Sequence, residues 1–271
     1  MEKLQLQLFL NIIGIGSASG LLFKENSLFL ISDNSTYLYE YQIEKASLEK
    51  HALVENPAEN ILKKDKLDFE SIALKGNNVI ILGSGSTKKR NQRISYDLKT
   101  KKIENKDFSV VYERFKKEAS LSDDELNIEG LIITADKSYF FQRGNAGNSA
   151  NGIFILNADD SLVFKKIILP KINDVEATFT DAILVDTTIY FLAAVENTAS
   201  TYLDGEILGS FLGRIKVENF ELENTILISK INKFEGITLF KESDKEIEFL
   251  LCEDNDTEEL KSEIYKLTIN Q

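Results

Sequence analysis

Glu129-Gly130-Leu131-Ile132-Ile133 runs through Thr134-Ala135-Asp136 into Tyr139-Phe140-Phe141 and ends in Gln142-Arg143-Gly144-Asn145. The order is an acid, a small residue, an apolar run, a turn, and a second apolar run with a polar end. Four other stretches follow it, opening with Ser19-Gly20-Leu21-Leu22, Glu70-Ser71-Ile72-Ala73, Glu176-Ala177-Thr178-Phe179 and Glu235-Gly236-Ile237-Thr238. A unit recurring at intervals of about 50 residues or a little more is the spacing of β-propeller blades. Runs of Ile, Leu, Phe, Tyr and Val punctuated by Gly, Asn and Asp predict several short strands per unit rather than helices.

Second strands are expected at Leu28–Ile31, Val79–Leu82, Tyr139–Phe141, Ile189–Leu192 and Phe249–Leu251. Third strands are expected at Arg93–Tyr96, Gly152–Leu156, Ser210–Ile215 and Ile264–Ile269. The last unit has no fourth strand of its own. Ahead of the first unit, Leu4, Leu6, Leu8 and Leu10 alternate with polar residues as in a half-buried strand. An N-terminal strand that completes the last blade hides the sheet edges an open array would leave bare. The expected fold is therefore all-β: one five-bladed β-propeller domain spanning 1–271, closed by its N-terminal strand. The charged stretch Lys102–Leu126 reads as a connector between blades two and three, with a short helix around Tyr112–Glu118.

Composition narrows the function classes. With 43% hydrophobic residues the chain can bury a core, and its formal net charge of -12 disfavours a nucleic-acid surface, which is built from clustered Lys and Arg. Lys88-Lys89-Arg90 is the one short basic run and reads as a solvated loop. One cysteine, Cys252, allows no intramolecular disulfide and no thiolate zinc site. A catalytic triad would have to use His51, and no nucleophile turn accompanies it. Glutamines interrupt any signal-peptide core at the start, and no run approaches a membrane span, so a cytoplasmic protein without a membrane partner is expected.

Each inner propeller strand lines the central channel, so the five unit starts converge on one end of it. Ser19, Glu70, Glu129, Glu176 and Glu235 are the candidate metal ligands, with calcium the expected ion because it accepts many oxygen ligands in flexible geometry. The other reading is that these acids cap strand ends or pair with Arg93, Arg143 or Arg214. Second-strand ends return to the same face. Asp33, Ser84 and Arg143 each lie 14 residues after Ser19, Glu70 and Glu129, which indicates a shared register. Arg143, Asn145, Asp33 and Asn255 are the candidate substrate contacts at this rim, and Glu129 or Glu235 the candidate general base.

Ser19-Gly20-Leu21 with Leu28–Asn34, and Glu129-Gly130-Leu131 with Phe140–Arg143, resemble the calcium-activated nucleotidase (apyrase) family. Phe234-Glu235-Gly236-Ile237 with Cys252–Asn255 is similar to blades of phytase-like and lactonase-type propellers. The resemblance implies a five-bladed propeller with a central calcium held by Ser and Glu side chains from successive blades. It departs from the apyrases in having Glu176 where another serine is expected, and in lacking their longer nucleotide-contacting segments. Two functions remain open at this level: metal-assisted hydrolysis of a small anionic or ester substrate, and a non-catalytic ligand- or protein-binding propeller. A glycosidase would use two of the channel carboxylates, but without Trp the sugar platform is thin.

Overall fold

The computed structural model describes residues 4–145, 150–198, 205–254 and 260–270. Five four-stranded antiparallel sheets form a five-bladed β-propeller. Blade one runs Ala18–Lys24, Ser27–Ser32, Tyr37–Gln42 and Ser47–Ala52, and blade two Phe69–Lys75, Asn78–Gly83, Gln92–Asp97 and Ile103–Asp107. Blade three comprises Ile128–Ile133, Lys137–Gln142, Gly152–Asn157 and Leu162–Lys166. Blade four comprises Thr178–Val185, Thr188–Asn197, Glu206–Lys216 and Leu222–Ser229. Blade five contributes Phe234–Glu242, Glu246–Glu253 and Lys261–Asn270, and the N-terminal strand Leu4–Ile13 is its outermost member.

That closing strand pairs antiparallel with Lys261–Asn270, from Leu4 opposite Ile269 to Ile13 opposite Lys261. A bulge between Leu8 and Leu10 inserts Phe9 as an extra residue, so the alternation changes face part-way along. Leu4 and Leu6 consequently pack into the core between blades four and five, while Leu10 and Ile12 pack into the core between blades five and one. An unbroken alternation, as expected from the sequence, would have filled only one of those two cores.

Apolar faces of neighbouring blades meet in pairs, and each seam has its own buried cluster. Between blades two and three the seam also takes the α-helix Ser109–Ala119, whose Tyr112 and Phe115 are fully buried. Phe115 stacks on Phe154 at 4.4 Å between ring centroids, and the Tyr112 hydroxyl donates to the Gly83 carbonyl at 2.5 Å. Here the expectation of a charged, solvated connector is too weak. Glu113, Lys117 and Glu118 of this helix face water, but residues spaced three apart on its other side complete a core.

Near the axis the inner strands crowd one another. A Cβ on Gly236 would lie 2.5 Å from Cys252 Sγ and 2.8 Å from the Leu21 backbone nitrogen. One on Gly130 would come 3.1 Å from the Ala182 nitrogen. Gly236→Ala should therefore cost about 1–3 kcal/mol through forced backbone shifts, read as a lower midpoint in urea with an unchanged slope. A midpoint equal to wild type would mean that the seam between blades five and one is looser than these contacts require.

Candidate axial site

In every blade the pairing of the first two strands slips by one residue near the start of the inner strand. The extra residues are Ser19, Glu70, Glu129, Thr180 and Glu235. A bulge of this kind re-aims the inserted side chain, and five of them in one register form the axial constellation. Hydroxyls in the set also stitch blades together. Ser19 Oγ donates to the Phe69 carbonyl at 2.5 Å, immediately before Glu70, and Thr180 Oγ1 donates to the Phe234 carbonyl at 2.7 Å, immediately before Glu235.

Blade four corrects the sequence reading. Glu176 is not on an inner strand; it belongs to a small hairpin formed by Lys171–Ile172 and Val175–Glu176. There its carboxylate accepts from the Leu169 backbone N–H at 3.1 Å and from Asn151 Nδ2 at 3.2 Å. The axial position falls to Thr180, and the residue after it is Asp181 where three other blades have glycine. Asp181 is buried and accepts from the N–H groups of Ala182 and Ile237, at 2.7 and 2.9 Å, joining blade four to blade five. Burial pushes its carboxyl well above the usual range.

Around the axis the charges divide into two halves. At blades three to five, Arg143 is 5% exposed, and its guanidinium reaches Glu129 at 3.4 Å, Glu196 at 2.5 Å and Glu235 at 4.0 Å. Its Nε donates to Thr178 Oγ1 at 3.1 Å. Lys233 sits 2.8 Å from Glu235 and 3.3 Å from Asp254, and Asn127 Nδ2 donates to Glu129 at 2.7 Å. Burial opposes charge on Arg143 and Lys233, yet the surrounding carboxylates outweigh it and hold both cations protonated.

At blades one and two the balance differs. Asp33, Asp68 and Glu70 bring carboxylate oxygens within 4.8 Å of one another. Arg90 and Ser84 both donate to Asp68 Oδ2, at 2.7 and 2.6 Å, and Lys66 pairs with Asp33 Oδ2. The other oxygen, Asp33 Oδ1, is buried without a hydrogen-bond partner among the described residues. Burial and then the carboxylates of Glu129, Asp68, Glu235 and Asp33 push the Glu70 carboxyl well above its usual range. Burial likewise raises Glu235 strongly and Glu129 as well, in both cases against the pull of Lys233 and Arg143. Burial also raises Asp33, against the pull of Lys66.

Of the residues singled out from sequence, Ser19, Glu70, Glu129, Glu235, Arg143 and Asp33 thus stand together near the axis. Asn145 follows Arg143 at the end of its strand, with a buried Oδ1 that has no partner among the described residues. Asn255 lies outside the described residues. Glu196 lies at a second-strand end, which the sequence places at this rim; Asp68, Lys66, Arg90 and Lys233 were missed. A signal existed for some of them: the residue two before each axial position is Ser17, Asp68, Asn127, Thr178 or Lys233, polar in all five blades.

Fold and site together define a five-bladed propeller with an axial cluster of buried carboxyl groups that internal cations only partly offset. The chain belongs to the family of unknown function DUF6929, whose sequence profile matches residues 14–269. No curated protein sequence matches it. Among solved structures it is similar to the glutaminyl cyclase of Myxococcus xanthus, with a TM-score of 0.58, 12% identity, and 98% of this chain and 96% of that one covered. It is also similar to the WD40 repeats of RRP9, with a TM-score of 0.51, 7% identity, and 98% and 100% covered. At such identities the likeness concerns the fold. Among the described residues no helix is long and apolar enough to cross a membrane.

Proposed function

We propose that the blade one and two side of the axial site binds a divalent, oxygen-seeking cation, calcium in the first instance, and uses it to turn over a small anionic or ester substrate. The observation that carries this reading is the convergence of Asp33, Asp68 and Glu70 within 4.8 Å, with Asp33 Oδ1 left unpartnered. Calcium takes six to eight oxygens at about 2.3–2.6 Å, so three carboxylates, the neighbouring Ser19 hydroxyl and waters would suit it. The apyrase-like sequence pattern of blades one and three supports the same ion. Glu129 and Glu235, already held by Arg143, Asn127 and Lys233, are better placed as proton-transfer groups than as ligands. A carboxyl raised by burial keeps its proton toward neutral pH, the state a general acid needs. The guanidinium of Arg143 would have to release carboxylates to take a substrate anion, so its assigned role is to hold Glu129 and Glu235 in place.

Calcium at 100 times its dissociation constant should stabilise metal-stripped protein by about 2.7 kcal/mol, seen as a melting shift of roughly 5–10 °C. Glu70→Gln should remove most of that shift, and magnesium should do less than calcium. The sign with pH is fixed by the raised carboxyl values. What Glu70 and Glu235 contribute to the metal-free fold is fully present below the ordinary glutamate value of 4.5 and is lost as pH climbs through their raised values. Because calcium competes with those protons, its stabilising effect should grow over the same interval. Calorimetry showing no heat of calcium binding would leave Lys66 and Arg90 as the whole answer to the acids. For turnover, calcium-loaded protein should be offered nucleotides, phosphate esters, lactones and, given the glutaminyl cyclase likeness, glutaminyl peptides. Glu235→Gln should depress kcat more than it alters KM. Calcium-loaded protein inert toward the whole panel would instead indicate a binding module.

A further inference from the structure

We infer that the seam between blades one and two carries a second, independent metal site of a different class, formed by Glu40, Glu49 and His51. Glu40 and Glu49 stand directly opposite each other on the strands Tyr37–Gln42 and Ser47–Ala52, and His51 follows Glu49 by two residues on the same face. Their candidate ligand atoms, one from each residue, all lie within 4.8 Å of one another. Like charges directly opposite each other on a sheet are destabilising, so the pairing calls for a positive charge between them. What the fold supplies is incomplete. His51 Nε2 lies 2.9 Å from Glu40 Oε2, and Lys101 of blade two stands 3.9 Å from that oxygen. Glu49 is exposed and has no hydrogen-bonded or ion-pair partner among the described residues.

The surroundings hold the ligands as a metal site's outer shell does. Ser27 Oγ donates to the other oxygen of Glu40 at 3.0 Å, and the His51 ring lies against Tyr96 with centroids 5.3 Å apart. Ser27, Glu40 and Lys101 also line an open groove of about 290 Å³, which reaches the cluster on its Glu40 side. One imidazole with two carboxylates and an open side is the donor set of a borderline ion such as zinc, whereas calcium and magnesium prefer an all-oxygen shell. The chain's lack of cysteine clusters therefore does not exclude zinc, because strand pairing assembles these ligands from two separate stretches.

His51 is the chain's one histidine, so its imidazole resonances report on this site alone in untagged protein. Zinc chloride titrated into calcium-loaded protein should move those resonances, with the change complete at one equivalent, while calcium alone leaves them in place. Glu49→Gln, on an exposed side chain that leaves the fold intact, should weaken zinc binding by about 10- to 100-fold, and Glu40→Gln should do likewise. His51→Gln should abolish it without changing the calcium-induced melting shift. His51 resonances that stay still in excess zinc would overturn the inference. So would shifts that survive both glutamate substitutions, since zinc would then be held by the imidazole alone.

Discussion

Arg143→Met should lower the unfolding free energy by about 3–5 kcal/mol at pH 8, because it leaves buried carboxylates without their cation. Glu129 is 3% exposed and Glu235 5%, so neither can recover by turning to solvent. For a chain of this size the loss corresponds to a melting point lower by roughly 10 °C. It should shrink as pH falls toward 5, since the stranded carboxyls then take up protons and the penalty of burying their charge lapses. Arg143→Lys should fall between the two, keeping the charge but losing the fork that reaches Thr178, Glu129 and Glu196 together. A variant within about 1 kcal/mol of wild type at pH 8 would mean that the acids are already protonated there. Arg143 would then be left available for the substrate-binding role first expected of it.

Removal of residues 1–13 should have an effect at least as large. Ile12 is fully buried, and loss of such a side chain alone costs about 2–5 kcal/mol. Leu4, Leu6 and Leu10 add contacts to two separate seams, and the whole outer ladder of blade five is left unpaired. The expected result is a melting point lower by about 10 °C or more, together with concentration-dependent association through the bared edge of Lys261–Asn270. A peptide of residues 1–14 added in trans should restore much of the stability. Truncated protein that melts as wild type and stays monomeric would show that the ring holds without its closing strand.

How much of this was legible follows from what each feature depends on. Blade starts, strand runs and the closing strand are local patterns of apolar and polar residues, and they can be read directly. Glu176 misled because the rule applied was chemical, an acid before a small residue, whereas the fold applies a positional one. In blade four the short hairpin ending at Glu176 intervenes, and the axial bulge is set by the register of Phe179 opposite Ala193. Glu129 with Arg143 was suggested by a constant offset, because both strands of that hairpin have standard lengths. Glu196 departs from that offset, since the second strand of blade four runs on to Asn197, and is placed at the rim by its strand end alone. The triad of Glu40, Glu49 and His51 could not be read at all without pairing two strands whose register no single stretch reveals.

The strand that seals the ring is made long before its partner. During synthesis at about 5–20 residues per second, Leu4–Ile13 would wait roughly ten to fifty seconds before Lys261–Asn270 leaves the ribosome. Throughout that interval a leucine-rich segment with a free backbone edge has no native place to go. Four blades can condense in order from the growing chain, but the fifth joins the two most distant contacts in the sequence, so the final step of folding is one of high contact order. Ring closure thus converts a spatial solution for exposed edges into a temporal hazard. The nascent chain of this propeller is where a holding chaperone would find its binding site.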